Sequence, residues 1–197
     1  MLRAMSWLNN AARDEELGSL GWLEVDREAI VLPGRGSNPF FVKRSDGSVW
    51  KAWRRADSDV VLAIWVVNDP RVSQERGWTD WIVAAIPLPA SVPPLELKRE
   101  GMLSKLARKL GQDDIEIGHP DFDDAIKVRG GDPTFATALL GPALREALLA
   151  TDLGGATLQL GGDAATVWSL NAEKKPSLAV AAAALALRSP LKDATRP

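Results

Sequence analysis

Asp59-Val60-Val61-Leu62-Ala63-Ile64-Trp65-Val66-Val67-Asn68 is the stretch that decides the fold. It is an almost unbroken apolar run of β-branched and aromatic residues, closed by a polar residue at each end. Such a run predicts a central strand covered on both faces. The neighbouring segments supply its partners. On the C-terminal side, Asp69-Pro70 to Gly77 reads as a polar loop, and Thr79 to Leu88 as a second apolar strand. Pro87, Pro89, Pro93 and Pro94 then mark an extended crossing into Leu95-Glu96-Leu97-Lys98, which alternates as a half-buried strand does. On the N-terminal side, Phe40–Arg44 and Val49–Arg54 flank Ser45-Asp46-Gly47-Ser48. Asp-Gly between two β-prone runs predicts a hairpin, with Lys43 opposite Trp50 and Phe41 opposite Ala52.

Helices frame these strands. The spacing of Trp7, Leu8, Ala11 and Leu17 predicts an amphipathic helix over about residues 6–20. Trp22 to Val25 is strand-like, and Leu32 to Pro39 is a loop. Leu103, Leu106 and Leu110 share one face of a helix over Gly101–Leu110, with Lys105, Arg108 and Lys109 on the other. Asp114–Gly118 and Ala125–Arg129 read as short strands, and Gly118-His119-Pro120-Asp121 as the turn between them. Asp132-Pro133 opens a helix as N-cap and first residue, and Gly141-Pro142 breaks it and starts another. A second hairpin is expected at Gly161-Gly162-Asp163, between Thr157–Leu160 and Ala165–Leu170. Pro176–Arg188 is an Ala-rich helix, apolar almost all round, and 189–197 is a polar tail. That helix reaches about 20 Å, short of the ~30 Å bilayer core. It must be buried in the core or against a second copy in a homodimer. With no internal repeat or linker, the expectation is one α+β domain, a largely antiparallel sheet with packed helices.

Composition excludes more function than it supplies. The 197 residues contain no cysteine and one histidine. Thiol nucleophiles, disulfides, thiolate zinc sites and two-histidine metal sites are therefore ruled out. The net charge of −2 gives no basic field to attract nucleic acid. No run of ~18 apolar residues exists to span a bilayer as a helix, and no signal h-region is legible near Met1. The expectation is a cytoplasmic protein without a transmembrane segment. Gly34-Arg35-Gly36 completes no dinucleotide fingerprint, and neither a P-loop nor a Gly-x-Ser-x-Gly elbow is present. No cofactor is expected.

Two clusters could still carry function. Trp50-Lys51-Ala52-Trp53-Arg54-Arg55 interleaves aromatic and basic residues as a binding surface does. On a regular strand, however, Trp50 and Trp53 point to opposite faces, and only a bulge would unite them. The candidate binding surface is Trp50, Trp53, Arg54 and Arg55, with Lys105, Arg108 and Lys109 from the basic helix. The second cluster is acidic, with Asp113, Asp114, Glu116, Asp121, Asp123 and Asp124 around His119. Its spacing lacks the calcium-loop pattern, and charged turns account for it. Three functions follow: a non-catalytic interaction or scaffold module with an unknown protein partner, a small-molecule or lipid carrier with a Trp-lined pocket, or an enzyme using Asp/Glu acid–base chemistry around Asp114–Asp124. A closed apolar cavity above ~300 Å³ would favour the carrier. Convergent carboxylates with one raised pKa would favour the enzyme.

The middle of the chain resembles a known family. The residues that carry the likeness are Ile86-Pro87-Leu88-Pro89, Leu95 to Leu103, Leu106, Gly111 and Asp114-Ile115-Glu116. They continue through Phe122-Asp123, Val128-Arg129-Gly130, Asp132-Pro133, Ala136, Leu139-Leu140 and Pro142. Over about residues 86–150 the chain is similar to uncharacterised bacterial, largely actinobacterial, proteins that share a domain of unknown function. Turn residues carry much of the likeness, so it implies a fold rather than a chemistry, and it supplies no catalytic residues. Many proteins of that family carry transmembrane helices before the domain. No such helix is legible here.

Overall fold

The computed structural model describes residues 10–68, 78–99, 114–170 and 174–197. The elements follow in the order α1 (Ala11–Ser19), β1 (Leu23–Val25), α2 (Pro39–Val42), β2 (Ser48–Arg54), β3 (Val61–Asn68), β4 (Trp78–Arg99), α3 (Pro120–Ala125), β5 (Ile126–Arg129), α4 (Pro133–Leu139), α5 (Pro142–Ala150), β6 (Thr157–Leu170) and α6 (Lys174–Ala194). The expected helix over 101–110, the loop over 69–77 and the first residues of the 6–20 helix lie outside the described residues.

The fold is α+β, built on one antiparallel sheet. Its strands run β1-β2-β3-β4-β5, and β6 pairs with the opposite edge of β4. β3 is central as expected, because Val61 to Val67 are all buried and the strand pairs with both β2 and β4. Alternation then divides its side chains between two cores. Leu62, Ile64 and Val66 join Ile82, Ala84 and Ile86 against Val180, Ala183, Ala184, Leu187 and Leu191 of α6. Val61, Ala63, Trp65 and Val67 join Val83 and Ala85 on the other face, under Ile30, Leu32, Phe40 and Phe41.

Several expectations are corrected. Phe40–Arg44 is not a strand. The Asn38 side chain accepts from Phe40 N at 3.0 Å, Pro39 fills the first helical position, and the chain turns into α2. The turn closed by Gly47 N to Arg44 O (2.9 Å) therefore joins α2 to β2. The pairs Lys43–Trp50 and Phe41–Ala52 do not form, since β2 lies between β1 and β3. Gly47 is needed for a different reason: a Cβ there would stand 2.1 Å from Trp65 Nε1.

The second hairpin is also absent. Thr157–Leu170 is one strand, paired with β4 from Lys98↔Thr157 to Trp81↔Leu170. Gly161-Gly162-Asp163 makes a bend in that strand, where the register shifts. Gly162 sits at φ +62°, and a Cβ on it would lie 2.1 Å from Ser37 Oγ.

Around His119 the expected turn is a helix, α3, and of Asp114–Gly118 only Asp114 bridges to β5, opposite Arg129. At the C-terminus the tail 189–197 is helical through Ala194, with Pro190 inside the helix. Burial of Leu191 (0%) and Thr195 (5%) draws the chain onward past the proline. Ala182 and Ala186 face solvent, so α6 is buried on one side rather than all round. Among the described residues no helix is long and apolar enough to cross a membrane.

Candidate functional site

Helix α2 sets an arginine among aromatic side chains. Asn38 anchors it from below. Its amide donates to Gln159 O (3.1 Å) and Ala164 O (3.0 Å), while its oxygen accepts from Phe40 N and from Thr166 Oγ1 (3.2 Å). All four of the amide's hydrogen-bonding positions are used. The bent strand β6 is thereby tied to the start of α2, and Phe40 and Phe41 are laid onto the sheet. Phe41 meets Trp65 edge-on at 5.1 Å, and Phe40 lies 5.4 Å from Trp168 and 6.4 Å from Trp81. Trp81 and Trp168 come to the same face because the register sets Val83 opposite Trp168 and Trp81 opposite Leu170.

Arg44 closes this cluster. One turn beyond Phe40, it returns its Nη1 to Phe40 O at 3.2 Å. Its guanidinium stands 4.4 Å from the Phe40 ring, 4.8 Å from Trp81 and 5.0 Å from Trp168. Each ring offers its negative π face to the cation. Burial lowers the Arg44 pKa from its ordinary value, against the charge of Glu96, which raises it. Leu170, opposite Trp81 in the β4–β6 register, is 51% exposed, and Val42 of α2, two residues before Arg44, is 53% exposed. The indole N–H groups of Trp65 and Trp168 are buried and have no acceptor.

The sequence-derived surface is placed differently. Trp53 is 1% exposed, beneath Arg13 (5.2 Å) and Lys51 (5.5 Å), and so offers nothing to a partner. A bulge between Val49 and Lys51 brings Trp50 against the same apolar cluster as Trp53. Trp50 stays half-buried at a groove of about 330 Å³ with Glu24, Val25, Asp26, Arg27 and Lys51. Burial works against the Lys51 charge, yet hydrogen bonds to Asp14 and Glu24 outweigh it and hold the pKa above its ordinary value. Arg54 is exposed, and Arg55 is engaged by Asp57 at 2.7 Å and by Leu20 O at 2.6 Å. Lys105, Arg108 and Lys109 lie outside the described residues.

The acidic stretch is used structurally. Asp123 accepts from Ile117 N (2.9 Å), Gly118 N (3.0 Å) and His119 N (2.9 Å), and so fixes the entry to α3. Asp114 pairs with Arg129 (2.8 Å) and Lys127 (3.3 Å). Burial raises the Asp114 pKa, but those two cations overcome it and hold the carboxyl below its usual range. Asp114, Glu116, Asp123 and Asp124 line a groove of about 330 Å³ together with Lys127. Among the described residues no three His, Asp or Glu side chains are grouped to hold a metal ion. Asp113 lies outside the described residues.

Arg44, Trp81, Trp168 and Phe40 were missed as a site in the sequence because Asp46-Gly47 pointed to a hairpin. Asn38-Pro39, a capping residue before a helix-opening proline, was the signal that could have placed Arg44 one turn above Phe40.

No family model matches the sequence, and no curated protein matches it. Among solved structures, the chain matches the crystal structure of the mycobacterial trehalose monomycolate transport factor A, TtfA. The two are 12% identical, the match covers 99% of this chain and 95% of that one, and the TM-score is 0.47.

Proposed function

We propose that the chain is a non-catalytic interaction module that engages a protein partner through the face around Arg44. The observation that carries this reading is a half-buried arginine ringed by aromatic side chains, with exposed Leu170 opposite Trp81 in the β4–β6 register. Protein interfaces are enriched in Trp and Arg at their centres, where a few such residues supply most of the affinity. Two further observations support it. Each described carboxylate with a displaced pKa, namely Asp57, Asp59 and Asp114, is displaced downward, away from general-acid duty near neutral pH. The aromatic cluster that a carrier would use as a cavity wall is filled by Phe40, Phe41 and the Arg44 side chain. The groove at Trp50, lined also by Glu24, Asp26, Arg27 and Lys51, is a second contact face in this proposal.

The test is site-specific photocrosslinking in the cells that make the protein. A crosslinker at position 42 or 170 is expected to trap one discrete adduct that a crosslinker at exposed Glu15 does not. Identical adducts from all three positions, or none from 42 and 170, would remove the reading.

A further inference from the structure

We infer that the face formed by Arg44, Trp81, Trp168 and Leu170 reads a carboxylate carried on an otherwise apolar segment of a partner protein. This rests on the interaction-module reading and adds the partner's chemistry.

A guanidinium has five N–H donors in a fixed plane. Among the described residues, that of Arg44 makes one hydrogen bond, to Phe40 O, and no carboxylate lies within ion-pair distance of it. Several surface cations are paired with carboxylates, Arg55 with Asp57, Arg129 and Lys127 with Asp114, Arg188 and Lys192 with Asp59, while Arg27 and Arg35 each lie over a single ring, Trp50 and Trp65. Arg44 has three rings against it, and the charge of Glu96 reaches it from beyond ion-pair distance. The Phe40 ring stands at 83° to Trp81 and 41° to Trp168, so the three rings wall the guanidinium on several sides, and among the described residues its hydrogen bonding is spent only on Phe40 O. A planar fork held this way matches a carboxylate, which can accept two parallel hydrogen bonds from it. The low-dielectric rings that surround the cation strengthen any such pair.

The surroundings specify the rest of the ligand. Leu170 shares the sheet face with Trp168 and sits opposite Trp81, so apolar surface lies directly beside the fork. Lys43 is exposed next to Arg44 and adds positive charge. A phosphate site would demand several converging donors, whereas this face offers one fork and apolar walls. An acidic side chain between apolar neighbours is the segment that uses both.

The probes are three capped pentapeptides, Gly-Leu-Glu-Leu-Gly and its Gln and Lys counterparts, titrated into the full chain. The readout is the indole N–H resonances of Trp81 and Trp168. The Glu peptide is expected to shift both, with an affinity at least about tenfold above the Gln and Lys peptides. Arg44→Lys keeps the charge but loses the fork, and should weaken the Glu peptide about tenfold. Leu170→Asp, at an exposed position, should repel the Glu peptide by a similar factor without changing the melting temperature. Equal binding of the Glu and Gln peptides, no shift with the Glu peptide, or unchanged affinity in Leu170→Asp would each overturn the inference. If crosslinking through Leu170 persists while the Glu peptide fails, only the carboxylate is lost; if both fail, the module reading goes with it.

Discussion

Asn38 Nδ2 donates to Ala164 O at 3.0 Å, joining the entry of α2 to a bend in β6 that lies 126 residues further along the chain. The bond has consequences in both directions. The carbonyls of Gln159 and Ala164, on either side of the bend at Gly161-Gly162-Asp163, both accept from the Asn38 amide, and Gln159 O also lies 3.2 Å from Thr166 Oγ1. The same side chain accepts from Phe40 N, so the geometry that seals β6 also starts the helix that carries Phe40 and Arg44. Ser37 Oγ adds a bond to Asp163 Oδ1 at 2.7 Å.

Asn38→Ala should therefore destabilise the protein by about 3 kcal/mol, because it leaves several buried donors and acceptors unsatisfied and removes an N-cap. Urea unfolding followed by Trp fluorescence measures it. Asn38→Asp keeps the cap acceptor but sets a carboxylate against two carbonyl oxygens, so it should be no more stable than the alanine variant. A loss below about 1 kcal/mol in both variants would mean that the bend holds itself.

Gly47→Ala should destabilise through Trp65 rather than through the backbone. Gly47 is not in the left-handed region, and the added Cβ would meet Trp65 Nε1 at 2.1 Å. A double-mutant cycle with Trp65→Phe, which removes the five-membered ring and its N–H, should show coupling above about 1 kcal/mol. Additive effects would place the cost of the alanine elsewhere.

The extent to which the sequence revealed this fold depends on how far each signal had to reach. The β3 run was legible because burial on both faces leaves a local mark in Val61 to Val67. Asp132-Pro133 and Gly141-Pro142 were legible because capping and proline act within one turn; Asp132 does accept from Thr134 N at 2.9 Å. Asp46-Gly47 and Gly161-Gly162-Asp163 misled for the same reason. Both look like turns locally, yet one follows a helix fixed by Asn38 and the other bends a strand that β4 holds on either side. The Arg44 cluster depends on Trp81 and Trp168 meeting across the β4–β6 register, and no local pattern in either segment announces that pairing. Trp53 read as surface because Lys51 and Arg54 flank it; the buried Arg13 that covers it belongs to α1.

Asp59 holds the C-terminal helix to the start of β3, and this contact sets a pH dependence. Its carboxylate accepts from Arg188 Nε at 2.6 Å and from Lys192 Nζ. Burial raises its pKa, but the hydrogen bonds and charges of Lys192 and Arg188 prevail and hold it below the usual carboxylate value. A carboxyl depressed in the folded state binds its proton more weakly there than in the unfolded chain. Its contribution is thus full above the ordinary carboxylate range, near pH 4, and disappears as pH falls through the lower folded value. Asp59→Asn should accordingly be less stable than wild type at pH 7, with the difference between the two unfolding free energies shrinking as pH falls below the ordinary carboxylate range. A constant difference across that range would show that the ion pairs contribute nothing that titrates.

Ala183→Glu tests whether α6 is a core helix or a dimer contact. Ala183 is 1% exposed within the single chain, among the residues that meet the sheet, whereas its neighbour Ala182 faces solvent. A glutamate at 183 has no room for its volume and no cation shown beside it, so the charge must be buried unpaired or the helix must move. The expected cost is about 3 kcal/mol or more, enough to lower the melting temperature by ten degrees or so in a domain of this size. Ala182→Glu, one residue away on the exposed side, should melt within a degree or two of wild type, since exposed substitutions usually change stability by less than about 0.5 kcal/mol. Light scattering run on both variants separates the alternatives. A core role predicts a destabilised Ala183→Glu protein with Ala182→Glu unchanged in both mass and melting. A dimer contact on the exposed side adds loss of mass in Ala182→Glu, while Ala183→Glu is destabilised in either case.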